Sequence, residues 1–120
     1  MQKKTLVLGA SPKTERYSYK AVKMLRDHGH PVVAIGAREA NIEEVSIEKG
    51  LPDHKNIHTV SLYLGPHNQK NIYDYILKLQ PKRIIFNPGT ENSELMTIAE
   101  DQGIDVEVAC TLVLLSTNQY

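Results

Sequence analysis

Lys4-Thr5-Leu6-Val7-Leu8-Gly9-Ala10-Ser11-Pro12-Lys13-Thr14 is the stretch that decides the fold. An apolar run breaks at a glycine, turns through Ala-Ser-Pro, and leads into a basic, tyrosine-containing segment that opens a helix. Leu6, Val7 and Leu8 form the continuous apolar pattern of a strand covered on both faces, as at the centre of a parallel sheet. Gly9 permits a tight turn and a close backbone approach that a side chain would block. The following helix, beginning near Ser18, aims its free N–H groups at whatever lies over the strand's end. Free amides and the helix dipole together favour an anion, usually a phosphate.

Composition bounds the rest. At 120 residues the chain is expected to form one domain, residues 1–120. Lys+Arg and Asp+Glu both number 14, so no overall charge advertises nucleic acid or a membrane surface as partner. No apolar run approaches the ~18 residues needed to span a bilayer, and Met1-Gln2-Lys3-Lys4 is not followed by a signal-type apolar core. The single cysteine, Cys110, leaves no internal disulfide and suits a reducing cytoplasm.

Outward from the opening stretch, Ser18 to His28 reads as a helix with Ala21, Val22 and Leu25 on one face. Gly29 and Pro31 end it. Val32-Val33-Ala34-Ile35 is a second buried strand that leaves through Gly36-Ala37-Arg38, so about thirty residues make a βαβ unit. Residues 41–56 carry Glu43, Glu44, Glu48 and Lys49 and are expected to be irregular, with Val45 and Ile47 a short extended piece. Thr59 to Leu64 is the third strand, and its alternation places it at or near an edge. Gly65-Pro66 closes it before a helix over His67–Leu79. Arg83-Ile84-Ile85-Phe86 is the fourth strand and runs into Asn87-Pro88-Gly89-Thr90, chosen for turn geometry. A helix from Asn92 to Gln102, a fifth strand Asp105–Val108 and an apolar helical turn over Leu112–Leu115 complete the chain.

Strands alternating with helices define an α/β, doubly wound, Rossmann-like domain. The expectation is a five-stranded parallel sheet of order 3-2-1-4-5 with helices on both faces. Ligands bind such sheets at the switch point beyond the carboxyl ends of the strands. In that order the flanking loops are Gly9–Pro12 and Asn87–Thr90.

The first loop lacks the second and third glycines of G-x-G-x-x-G, and no acid ends the second strand to take a ribose hydroxyl. Arg38 stands there instead, which suits a phosphorylated ribose, as in a dinucleotide phosphate or the 3′-phospho-ADP of coenzyme A. No Walker pattern is present. Lys13, Arg16 and Lys20 cluster around the turn, as phosphate binding would require and as an exposed helix start also permits. The five histidines show no metal-ligand spacing, and no nucleophile–base grouping or carboxylate pair stands out. The tyrosines lie in no RNA-stacking motif.

Gly9-Ala10-Ser11-Pro12 after a buried strand, the Tyr17-Ser18 helix opening and the Asn87-Pro88-Gly89-Thr90-Glu91-Asn92 segment together resemble the stand-alone CoA-binding domain proteins. These are similar to the CoA-binding domain of the succinyl-CoA ligase alpha subunit. Asn87 stands where that family usually has glutamine. The resemblance implies that Gly9, Ala10, Ser11 and Pro12 surround the diphosphate and ribose, with the amides near Tyr17 and Ser18 completing the anion site; Lys13, from the basic cluster, is counted with them as cofactor-binding. It implies that Arg38 lies beside the phosphorylated ribose; Gly36, at the same second-strand exit, is counted as cofactor-binding with it. Leu64, Gly65 and Pro66 would flank adenine or ribose, and Asn87, Pro88 and Gly89 would face the pantetheine arm. The ligase's phosphorylated histidine belongs to a domain absent here, so ligase chemistry is not implied. Cys110 resembles a cysteine found after the fifth strand in related sequences, read as a small buried apolar residue.

Three readings follow. One is a cytoplasmic module binding coenzyme A or an acyl-CoA without catalysing a reaction. Another is a small NADP-type oxidoreductase or acyl-CoA-handling enzyme. The third is a scaffold with a vestigial cofactor loop. The edge third strand or the apolar tail near Leu112 could pair two copies into a homo-oligomer.

Overall fold

Alternate residues of the first strand, β1 (Thr5–Ala10), face opposite ways and are buried on both sides. Leu6 and Leu8 enter one apolar cluster and Val7 the other. The parity then breaks. Ala10 joins Val7 rather than Leu8, because the pairing with the second strand shifts register between Leu8 and Ala10. Gly9, at φ +99°, is the residue that absorbs the bulge. The chain therefore leaves β1 toward the face on which the first helix packs.

The computed structural model describes residues 2–120. It contains β1, α1 (Tyr17–Asp27), β2 (Val32–Gly36), β3 (Ala40–Ile42), β4 (Val45–Glu48), β5 (Thr59–Leu62), α2 (Tyr73–Leu79), β6 (Arg83–Phe86), α3 (Ser93–Asp101), β7 (Asp105–Val108) and α4 (Thr111–Ser116). These strands form one sheet of order β3-β4-β2-β1-β5-β6-β7, with only β3 antiparallel to its neighbour. Helices cover both faces. Leu95 and Ala99 of α3 and Ile76 of α2 pack with Leu6, Leu8, Val60, Leu62, Ile84 and Phe86. On the other face Val22 and Leu25 of α1 and Leu115 of α4 pack with Val7, Ala34 and Ile47.

The α/β doubly wound class stands, but the five-stranded 3-2-1-4-5 sheet does not: the described residues form seven strands and the sheet is mixed. Two physical causes account for the difference. Within residues 41–56, expected to be irregular apart from a short extended piece at Val45 and Ile47, that piece is β4; residues 40–48 form a β3–β4 hairpin whose turn is Glu43-Glu44, with Glu43 at φ +53°. Ile42, Val45 and Ile47 bury their side chains, and β4 takes the free edge of β2. The strand Thr59–Leu62 is accordingly not an edge strand but sits between β1 and β6, buried at every position. Its polar residues read as solvent-facing because their partners lie far away in sequence. Thr59 Oγ1 accepts from Arg83 Nε at 2.9 Å. Ser61 Oγ lies 2.8 Å from Thr111 Oγ1 and accepts from Asn87 Nδ2 at 3.0 Å. Buried and satisfied hydroxyls cost little compared with unpaired ones.

The expected helix over His67–Leu79 is shorter. Two 3-10 turns, Pro66–Asn68 and Lys70–Ile72, precede α2. The side chain of Gln69 between them is fully buried and donates to the carbonyls of Leu64 and Thr90, both at 2.8 Å. It also accepts from Asn92 Nδ2 at 2.9 Å. One amide thus ties the loop after β5 to the loop after β6. Among the described residues no helix is long and apolar enough to cross a membrane.

Candidate functional site: a basic cleft over the carboxyl ends of the strands

In the observed order the chain reverses between β1 and β5, so the switch point is flanked by the exits of those two strands rather than of β1 and β6. A cleft of about 500 Å³ opens there. Its floor is the turn Gly9-Ala10-Ser11-Pro12-Lys13, and its walls include Arg16, Tyr17 and Ser18 at the start of α1, Ala37 and Arg38 after β2, Tyr63 after β5, and Pro88 after β6.

The turn is built locally. The Lys13 amide donates to Ser11 Oγ at 3.2 Å, and the Arg16 amide donates to the Lys13 carbonyl at 3.0 Å. The N-cap residue of α1 is Arg16, whose side chain caps nothing, and no acid stands in the first turn. At α3, by contrast, Asn92 Oδ1 accepts from the Glu94 and Leu95 amides, and Glu94 supplies an acid. The amides opening α1 are therefore unoccupied, at the positive end of an eleven-residue helix.

The cleft's charges are one-sided. Lys13, Arg16 and Arg38 line it and no carboxylate does. Among the described residues none of these three forms a salt bridge, whereas Lys23, Arg26, Lys78 and Arg83 each pair with a carboxylate. In a chain with equal numbers of acids and bases, three free cations converging on one glycine turn concentrate positive potential there.

Of the residues singled out from sequence, Gly9, Ala10, Ser11, Pro12, Lys13, Tyr17, Ser18, Arg38 and Pro88 line this cleft. Gly36 lies beneath it. A Cβ there would stand 2.2 Å from the Ala10 carbonyl oxygen, so its hydrogen lets β2 approach the bulged end of β1. Gly65 and Pro66 fall outside the lining, and Leu64 packs against the α2–α3 side of the core. Gly89 is exposed at φ +90°, its amide bonded to Glu91 Oε1 at 2.9 Å. The Asn87 side chain points inward and is 1% exposed. It donates to Ser61 Oγ and to the Leu62 carbonyl at 2.9 Å, and accepts from the Thr111 amide at 2.8 Å. Both N–H donors of that amide are used by β5 and its oxygen is held by the start of α4, so the side chain is turned into the fold and away from the cleft.

Sequence reasoning did not single out Ala37 or Tyr63, and it noted Arg16 only as a neighbouring cation. Tyr63 was hidden by the misplaced third strand: once β5 is central, its exit must face the switch point. The Tyr63 hydroxyl is buried without a hydrogen-bond partner, and burial pushes its pKa up to about 12. A phenol so disposed stays protonated at neutral pH. Among the described residues no three of histidine, cysteine, aspartate or glutamate gather as a metal site.

A doubly wound sheet with free amides at a helix start and a basic cleft at its switch point has the chemistry to hold an anion. Residues 3–116 match the family model described as CoA binding domain, and the chain belongs to that family. Among solved structures it is similar to a protein described as uncharacterized, at 45% identity over 100% of this chain and 99% of that one, with a TM-score of 0.97. A hypothetical protein from Pyrococcus horikoshii OT3 is 25% identical over 97% of this chain and 83% of its own, with a TM-score of 0.85. A Thermus thermophilus protein, 21% identical over 99% and 91% of the two chains, shares the fold with a TM-score of 0.85. No curated protein matches the sequence.

Proposed function

We propose that this protein binds coenzyme A or an acyl-CoA in the cleft over Gly9–Lys13 and acts as a binding or regulatory module rather than as a catalyst. The observation that carries the reading is the convergence of Lys13, Arg16 and Arg38, all unpaired, on the glycine turn and the uncapped start of α1. The diphosphate sits on the turn and the α1 amides. Arg38, at the β2 exit, takes the phosphate on the ribose, for which a guanidinium offers paired donors. The pantetheine arm passes Pro88. The non-catalytic part of the reading is supported by the lining itself, which holds no carboxylate, histidine or cysteine.

Thermal unfolding with CoA, dephospho-CoA, NADP and NAD at millimolar concentration tests this. A ligand at about 100 times its dissociation constant adds ~2.7 kcal/mol, seen as several degrees in a domain of this size. A rise with CoA that shrinks with dephospho-CoA and is absent with NAD is the expected result. No rise with any of the four overturns the reading.

A further inference from the structure

Tyrosine occurs six times in the chain, and five of the rings are buried or half-buried. Tyr17 is 67% exposed, the largest exposure among the bulky apolar and aromatic residues left in solvent. It stands on the rim of the cleft, in the first turn of α1. The Lys20 ammonium lies 5.4 Å from its ring centroid, a cation–π contact that orients the ring and adds positive charge beside it. Tyr73, Tyr75 and Tyr120 each use their hydroxyls in hydrogen bonds to the fold. Among the described residues the Tyr17 hydroxyl makes no such bond, and apart from the Lys20 contact its ring is left to solvent.

The segment expected to flank the base cannot do so. Gly65 and Pro66 lie outside the cleft lining, and Leu64 packs into the core. The flat surfaces that do line the cleft are Pro12, Tyr17, Tyr63 and Pro88, and of the two aromatic rings Tyr17 is the one with a cation, Lys20, over its face among the described residues.

We infer that Tyr17 is the stacking platform for the adenine ring of the bound nucleotide, which makes it a specificity-determining residue of the cleft. The inference rests on the CoA-binding reading and deepens it: the three cations take the phosphates, and the base is held by ring stacking at the rim instead of by hydrogen bonds in a pocket. Stacking of this kind tolerates any aromatic partner but not its removal.

The test compares the parent with Tyr17→Ala and Tyr17→Phe, using CoA and 3′,5′-ADP as probes in titration calorimetry. The proton NMR shifts of adenine H2 and H8 are followed in the same samples. Tyr17→Ala is expected to weaken both ligands about tenfold and Tyr17→Phe less than twofold. Upfield ring-current shifts of H2 and H8 are expected in the parent and the phenylalanine variant, and are lost in the alanine variant. Unchanged affinity in Tyr17→Ala, or ring-current shifts that persist there, overturns the platform while leaving CoA binding intact. A parent that binds neither probe overturns the underlying reading, and that result is in hand before either variant is made. Because Tyr17 is exposed, the alanine variant keeps the fold, which its unfolding midpoint verifies.

Discussion

Gly36 and Ala10 meet so closely that a single methyl group at position 36 would lie 2.2 Å from the Ala10 carbonyl oxygen. The contact is backbone against backbone, so no side chain can swing away to relieve it. Gly36→Ala is therefore expected to destabilise the protein by about 1–3 kcal/mol, the usual range for forced overpacking. It should also displace the Gly9–Lys13 turn, so that CoA affinity falls together with the urea midpoint. An unchanged midpoint would show that the β1 exit can yield.

Gly9 is constrained twice over. Its φ is +99°, and a Cβ would stand 3.1 Å from the Tyr63 carbonyl carbon. Gly9→Val should cost stability as well as ligand binding, roughly 1–3 kcal/mol from the strained backbone alone. Ser11→Trp is the cleaner probe, because Ser11 lies on the cleft floor and only half-buried. It should abolish CoA binding with the unfolding midpoint nearly kept. CoA binding by Ser11→Trp at parental affinity would remove the ligand from this turn.

Arg38 separates the two phosphate positions. Arg38→Ala should weaken CoA more than dephospho-CoA, with the difference shrinking as salt is raised, since the side chain is exposed. Equal losses for the two ligands, measured by calorimetry at low salt, would take Arg38 away from the ribose phosphate.

Asn87, at the exit of β6, ties β5 to the start of α4 with one amide. Asn87→Leu leaves the Thr111 amide and the Leu62 carbonyl without their partner and is expected to cost about 2–4 kcal/mol, measured as a drop in urea midpoint at constant m. An Asn87 that served the ligand instead would lose affinity on substitution and leave stability unchanged.

His30 is 8% exposed, and its Nδ1 accepts from the Lys3 backbone amide at 3.0 Å, which requires the neutral ring. Burial first, and then the Lys3 charge, hold its pKa below the ordinary 6.5. Burial and then the charge of Arg83 lower His58 in the same direction. Both groups bind more protons when unfolded, so their contribution is complete above pH 6.5 and fades as pH falls through the lowered native values. Unfolding midpoints taken from pH 7.5 to 5 should decline, and His30→Gln should flatten the slope. A slope unaltered by that substitution would assign the loss to other groups.

Most of this protein's strands were legible because a buried parallel strand is a local pattern. Leu6–Leu8, Val32–Ile35 and Ile84–Phe86 are apolar runs ended by turn residues, and each is a strand in the structure. The glycine turn and the cations around it were legible for the same reason: positive φ and free helix amides are properties of a few neighbouring residues. Strand order was not, because it depends on which distant groups satisfy which. Thr59 and Ser61 look solvent-facing in sequence, and only Arg83, Asn87 and Thr111, brought from 24 to 50 residues away, make them fit the centre of the sheet. The acidic turn at Glu43-Glu44 hid a hairpin whose apolar residues are buried only because α1 and β2 lie beside them. That one rearrangement brought Tyr63 to the switch point, kept Gly65 and Pro66 out of the cleft, and turned the Asn87 amide into a strut. The local geometry of the Gly9–Lys13 turn was written in the sequence; which residues surround it was decided by long-range hydrogen bonds and packing.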